Sequence, residues 1–172
     1  MIEDALNNFN HTIDRWIAYL DHYSQETFRE KPIAGSWSIG QVYMHLTIDT
    51  PWHIGQMEIA LASNDFADEE MHDNAKQMFL HNQFPDIRIE GAATDDNVPQ
   101  PNSKDEIRQK LIDIRKRVND LYHSSDFTRS KGKTRHPGLL YFSALDWLRF
   151  TEMHMRHHFR QKNRIDERLR AH

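Results

Sequence analysis

The chain reads as an all-α protein, a four-helix bundle with one long crossover connection. Three observations predict it. Four long stretches carry apolar residues at helical spacing, no stretch alternates like a strand, and one long polar insertion interrupts the middle. At 172 residues the length prior gives a single domain over 1–172, large enough to bury a real core.

The elements follow in order. Over the first 23 residues, Leu6, Phe9, Ile13, Trp16, Ile17 and Leu20 recur at helical spacing. Pro32 and Gly35 then punctuate a loop. Ser38 is placed to cap a second helix running to about Ser63, inside which Pro51 should kink the chain or cost it a hydrogen bond. A short helix is expected around 67–80, followed by a polar loop, GAATDDNVPQPNS. Ser103 with Glu106 three residues on reads as a capping box for a third helix, whose apolar side is Leu111, Ile112, Ile114, Val118 and Leu121. The turn-rich SKGKTRHPG leads to Ser143, the cap of a final helix reaching about Leu169. The four tryptophans, Trp16, Trp37, Trp52 and Trp147, are expected in the bundle core, with Trp37 or Trp147 able to wall a pocket.

Composition narrows the chemistry. A net charge of −4 offers no basic footprint for nucleic acid, and no apolar run approaches a membrane span. The N-terminus lacks the basic start and apolar stretch of a signal peptide, so a cytoplasmic location is expected. With no cysteine, thiolate nucleophiles and sulfur ligands from the protein are excluded. A bound metal would rest on His, Asp, Glu or water, which suits zinc, nickel, iron or manganese.

Twelve histidines stand out in that composition. On the final helix, advancing roughly 100° per residue, His158 falls within the apolar arc and His154 at its margin. His157 falls on the polar side with Arg156 and Arg160. A spacing of four stacks the imidazoles of His154 and His158 one turn apart, the arrangement by which a helix chelates a cation. Two core-margin histidines satisfied by hydrogen bonds would show the same spacing. Gln161, one turn beyond His158, is placed to orient a ligand or touch substrate. A third ligand must come from elsewhere. On the second helix His53 lies deepest in the apolar arc, with Asp49 outside it and His45 further round. Asp49 could ligate with His45 or orient it. Periodicity does not choose between His45 and His53.

Two motifs carry a family resemblance. GSWSIGQVYMHL is similar to a tryptophan-led entry into helix two ending in His-Leu, and HPGLLYFSALDWLRFTEMHMRHHFRQ to a His-Pro-Gly turn, an aromatic helix start and a His-x-x-x-His close followed by Gln. In order and spacing the chain resembles the DinB/YfiT-like superfamily of metalloenzymes. The resemblance implies a four-helix bundle with a long crossover and a metal triad at His45, His154 and His158, with an open position for water or substrate. His53 has no counterpart and stays a substrate-contact or second-layer candidate. Phe159-Arg160 stands where many members have Arg-Gly. A homodimer is common among relatives, with no interface named by this sequence.

Three neutral imidazoles leave a divalent ion doubly positive, so a thiol or water bound to it loses its proton more easily. Relatives point to a thiol-dependent S-transferase acting on a small electrophile with a low-molecular-weight thiol as co-substrate. A hydrolase using a metal-bound hydroxide is the alternative, with Asp49, His53 or Gln161 as proton carrier or orienting group. A non-catalytic, stress-response bundle with a structural ion is a third, weakened because structural zinc sites are usually closed by four protein ligands.

Overall fold

The computed structural model describes residues 2–85 and 98–171. Four long helices build the bundle: α1 (Ile2–Tyr19), α3 (Ile39–Ala62), α5 (Lys104–Ser124) and α6 (Ala144–Arg170). Shorter elements join them: a 3-10 turn (Leu20–His22), α2 (Gln25–Arg29), α4 (Asp73–His81) and a hairpin of β1 (Lys133–His136) and β2 (Leu140–Ser143). Helices α1 and α3 each pack on both α5 and α6. Helices α3 and α5 run parallel, since Ser38 before α3 meets Gln100 before α5 and Ala60 late in α3 meets Ser130 after α5. The long middle connection therefore joins two parallel helices, as the expected crossover does.

The caps are built as the serines suggest. Ser38 accepts from the Gln41 backbone N–H while the Gln41 side chain accepts from Ser38 N–H, and Ser143 does the same with Asp146. Ser103 caps only one way: it accepts from Glu106 N–H, but the Glu106 carboxylate takes Asn102 and Lys110 instead of returning to Ser103. Helix α3 runs unbroken through Pro51; the cost is the single N–H that proline lacks.

Three elements depart from expectation. The short helix begins at Asp73, not near 67, because His72 caps it by accepting from Asn74 N–H. Helix α2 forms one turn behind its own serine cap, Ser24. The turn-rich stretch before α6 forms the antiparallel hairpin, with Thr134 opposite Phe142 and Arg135 opposite Tyr141. Strands of four residues are too short to show alternation. Gly132 admits this hairpin to the bundle: a Cβ there would meet the carbonyl oxygens of Ala60 and Ser63 at 2.3 Å. Of the expected polar loop, residues 91–97 lie outside the described residues. Its end is tied to α3, with Gln41 donating to Val98 O at 2.7 Å and Ser38 to Gln100 at 2.9 Å.

Aromatic rings link the helices through the core. Trp16 stacks on Phe159, with centroids 4.4 Å apart, and meets Tyr43 edge-on, while its indole donates to Met155 O. Phe159 thus fills space between α1 and α6, with the Arg15 guanidinium over its outer face. Trp147 is fully buried and donates to Thr134 at 2.7 Å, pinning the hairpin to α6. Trp52 is the exception among the tryptophans: it is 43% exposed, with its ring edge-on against Trp147 at 5.3 Å. Among the described residues no helix is long and apolar enough to cross a membrane.

Candidate metal centre

Helices α3 and α6 lie side by side and antiparallel. His45 faces His154 and His158, while further along α3 His53 meets the earlier residues Thr151 and Trp147. The i, i+4 spacing on α6 supplies two imidazoles from one helix, and the cap at Ser38 sets the phase that delivers His45 across the groove.

The three Nε2 atoms converge. His45 lies 3.3 Å from His154 and 3.1 Å from His158, and His154 lies 3.1 Å from His158. Three ligands around a tetrahedral ion at zinc–nitrogen distances stand about 3.3 Å apart, so the triangle has the size such an ion needs. The Gln161 amide oxygen lies 2.8 Å from His158 Nδ1. Nδ1 therefore carries the proton, and the lone pair of Nε2 is left for the triangle. Converging lone pairs repel one another, whereas a cation at their centre satisfies all three. The donor set fits a divalent metal, and these three histidines could hold one.

Electrostatics agree with neutral imidazoles at His154 and His158. Burial, then repulsion from His45, pushes His158 down to about 3, with Gln161 pulling partly back. Burial, then His158, holds His154 well below the usual imidazole range. Burial, then His136 and His45, takes His53 down to about 3, and burial takes His136 to about 4. An unfolded imidazole accepts its proton near pH 6.5, whereas these accept theirs only far lower. Below about pH 6.5 the unfolded state therefore gains protons that the folded state refuses. Stability of the metal-free protein is expected to be flat above pH 7 and to fall as pH drops from about 6.5 toward 4. His53 and His158 each add up to about 1.4 kcal/mol per pH unit. Urea unfolding of metal-free protein at several pH values checks this, and a curve flat across that interval would contradict it.

The other candidate residues take distinct places. An Asp49 carboxylate oxygen lies 3.4 Å from His45 Nε2. It does not join the set of ligand atoms that all lie within 4.8 Å of one another, as a fourth tetrahedral ligand would. It stands beside the triad, 36% exposed. His53 is buried against Trp147, Phe150 and His154. Thr151 gives its proton to Trp147 O at 2.7 Å, so the 3.3 Å contact with His53 Nδ1 is a bond that His53 donates. His53 Nε2 is left as an acceptor. His157 does not simply face solvent: the Phe84 ring covers it at 5.3 Å, and Arg160 holds Phe84 O at 2.9 Å.

Gln161 anchors His158. Gln161→Ala is expected to lower metal affinity about 10- to 100-fold, with Gln161→Glu restoring the acceptor and most of the affinity. Competition against a chromogenic chelator reads the difference. Neither Phe84 nor Phe150, which lies parallel to the His154 ring, was signalled by spacing, because both depend on neighbours brought in by tertiary packing. Trp37, 5.3 Å from the His45 ring, stands in the same sequence motif as that histidine.

Comparison with known proteins locates this architecture. Among curated proteins no sequence matches the chain. The crystal structure of TT2238, described as a four-helix bundle protein, matches with a TM-score of 0.63 at 13% identity, covering 95% of this chain and 98% of that one. At that identity the likeness concerns the fold alone. The sequence model of the DinB superfamily matches residues 8–161, a span that includes His45, His154, His158 and Gln161. The chain belongs to the DinB superfamily.

Proposed function

We propose that the chain is a divalent-metal-dependent enzyme that transfers a low-molecular-weight thiol to a small electrophile. The observation that carries it is the convergence of three histidine Nε2 atoms at 3.1–3.3 Å, in a family that is metal-binding. Zinc and nickel suit three nitrogen ligands best, with iron and manganese next. Bound there, the ion supplies a Lewis acid that eases loss of the proton from a thiol on its open side.

The chain's own residues supply the rest. His45, His154 and His158 hold the ion, and Gln161 fixes the tautomer of His158. Asp49, partly exposed beside the triad, accepts the thiol proton as the carbon–sulfur bond forms and the bond to the leaving group breaks. His53 stays neutral and offers its Nε2 as a hydrogen-bond acceptor to substrate rather than as a proton carrier. Trp37 limits access on the His45 side.

The test loads metal-free protein with one equivalent of zinc, nickel, iron(II) or manganese. A panel of small thiols is then assayed against an aryl halide, beside a panel of aryl esters with no thiol. Metal-dependent thioether formation is expected, falling by about 10²- to 10⁴-fold in Asp49→Asn, the range for loss of a general base. Ester cleavage without thiol would move the assignment to hydrolysis. A stoichiometric ion with neither activity would leave a non-catalytic metal-binding bundle.

A further inference from the structure

Two ligands of the triangle stand on α6, and they are held differently. His158 is anchored through its second nitrogen, where Nδ1 meets the Gln161 amide oxygen. His154 Nδ1 is buried and has no hydrogen-bond partner among the described residues. A histidine that ligates through one ring nitrogen almost always donates from the other, and that bond sets the orientation of the ring. Without it the His154 imidazole could turn and carry Nε2 out of line with His45 and His158, which lie 3.3 and 3.1 Å away.

Aromatic rings surround His154 instead. Phe150, one turn earlier on α6, lies parallel to it at 6.1 Å, and His53 of α3 meets it edge-on at 5.5 Å. Phe84 lies tilted at 6.0 Å and closes on Phe150 at 5.2 Å and on His157 at 5.3 Å. Phe150 and His53 are set by the helices that carry them. Phe84 is not: it stands just past the end of α4, in a stretch with no helix or strand.

That stretch is nonetheless fixed to α6. Arg149, Arg156 and Arg160 stand at i, i+7 and i+11, a single stripe down the helix. Each donates to a backbone carbonyl of the run 79–84: Phe79 O at 3.0 Å, Asn82 O at 2.8 Å and Phe84 O at 2.9 Å. Asn82 ends α4 in the left-handed region, at φ 50°, and turns the chain there. Buried Glu152 takes two bonds from Arg156 and so holds the middle clamp in place. Charged donors make stronger bonds than neutral ones, and three of them fix this run against α6.

We propose, on the metal-binding reading given above, that Phe84 is a positioning residue of the metal centre. Clamped by the three arginines, its ring completes the wall that keeps the His154 imidazole turned toward His45 and His158. Packing does for His154 what the Gln161 hydrogen bond does for His158.

Metal-free protein titrated with zinc against a chromogenic chelator reads affinity, and cobalt(II) in place of zinc reads ligand geometry through its visible absorption. Phe84→Ala should weaken zinc binding by about tenfold or more, the range for loss of a group that orients a ligand, and should shift the cobalt(II) bands. Phe84→Leu refills the space and should recover most of the affinity. Arg160→Met keeps the ring but removes its clamp, and should move both readouts the same way by a smaller amount. A contact that only stabilised the fold would lower the unfolding midpoint of metal-free protein and leave the cobalt(II) spectrum unchanged. Wild-type affinity and an unchanged spectrum in both Phe84→Ala and Arg160→Met would overturn the inference while leaving the metal site standing. A wild type that takes up neither ion would overturn the metal reading, and the role of Phe84 with it.

Discussion

Replacing His45, His154 or His158 by alanine is expected to leave a folded protein that no longer retains metal. Each variant loses one of three nitrogens from a triangle whose sides are 3.1–3.3 Å, and no fourth protein atom among the described residues stands ready to replace it. The loss in affinity should exceed the roughly 10- to 100-fold typical of residues that only orient a ligand. Wild-type protein at free metal a thousandfold above its dissociation constant should gain about 4 kcal/mol of stability, and the variants almost none. Plasma mass spectrometry after desalting reads the retained metal, and thermal melts with and without metal read the linkage. Circular dichroism separates ligand loss from unfolding. Metal retained at one equivalent in all three folded variants would place the ion elsewhere.

The second large effect concerns packing. Trp147→Ala should destabilise the fold by about 3–5 kcal/mol, the range for emptying a fully buried aromatic site. The indole meets Phe142, Phe150, His53 and His136 and donates to Thr134. Its loss removes the wall that holds His53 and the bond that ties β1 to α6. Trp147→Phe should recover much of the packing while leaving the Thr134 hydroxyl without its donor, at a residual cost of about 1–3 kcal/mol. Urea titrations of the three proteins measure both steps. A Trp147→Ala protein as stable as wild type would show that the hairpin and α6 hold together without it.

How much was legible follows from where each signal resides. The four helices could be read because apolar period and serine caps are local properties, and Ser38 and Ser143 set two helix starts to the residue. The His154 and His158 pair could be read for the same reason. The choice between His45 and His53 could not, because helical phase gives a direction and not a height along the neighbouring helix. Both face α6; only His45 is level with the pair. Family resemblance supplied that height. Trp52 was misplaced by the general habit of tryptophan, although its phase on α3 lies outside the buried arc. The hairpin was hidden because it is held by backbone pairing over four residues a strand, with Leu140 in the left-handed region at φ 65°.

The triad also has an order of assembly. Two ligands lie four residues apart on one helix, whereas His45 is 109 and 113 residues distant from them in sequence. A stretch of helical α6 alone could offer an ion a two-point grip, but the third point exists only once α3 and α6 have docked. Tight retention would therefore begin late in folding and end early in unfolding, when those two helices part. Release of the ion into a colorimetric chelator during denaturation would time that separation directly, marking the moment the two halves of the chain let go of each other.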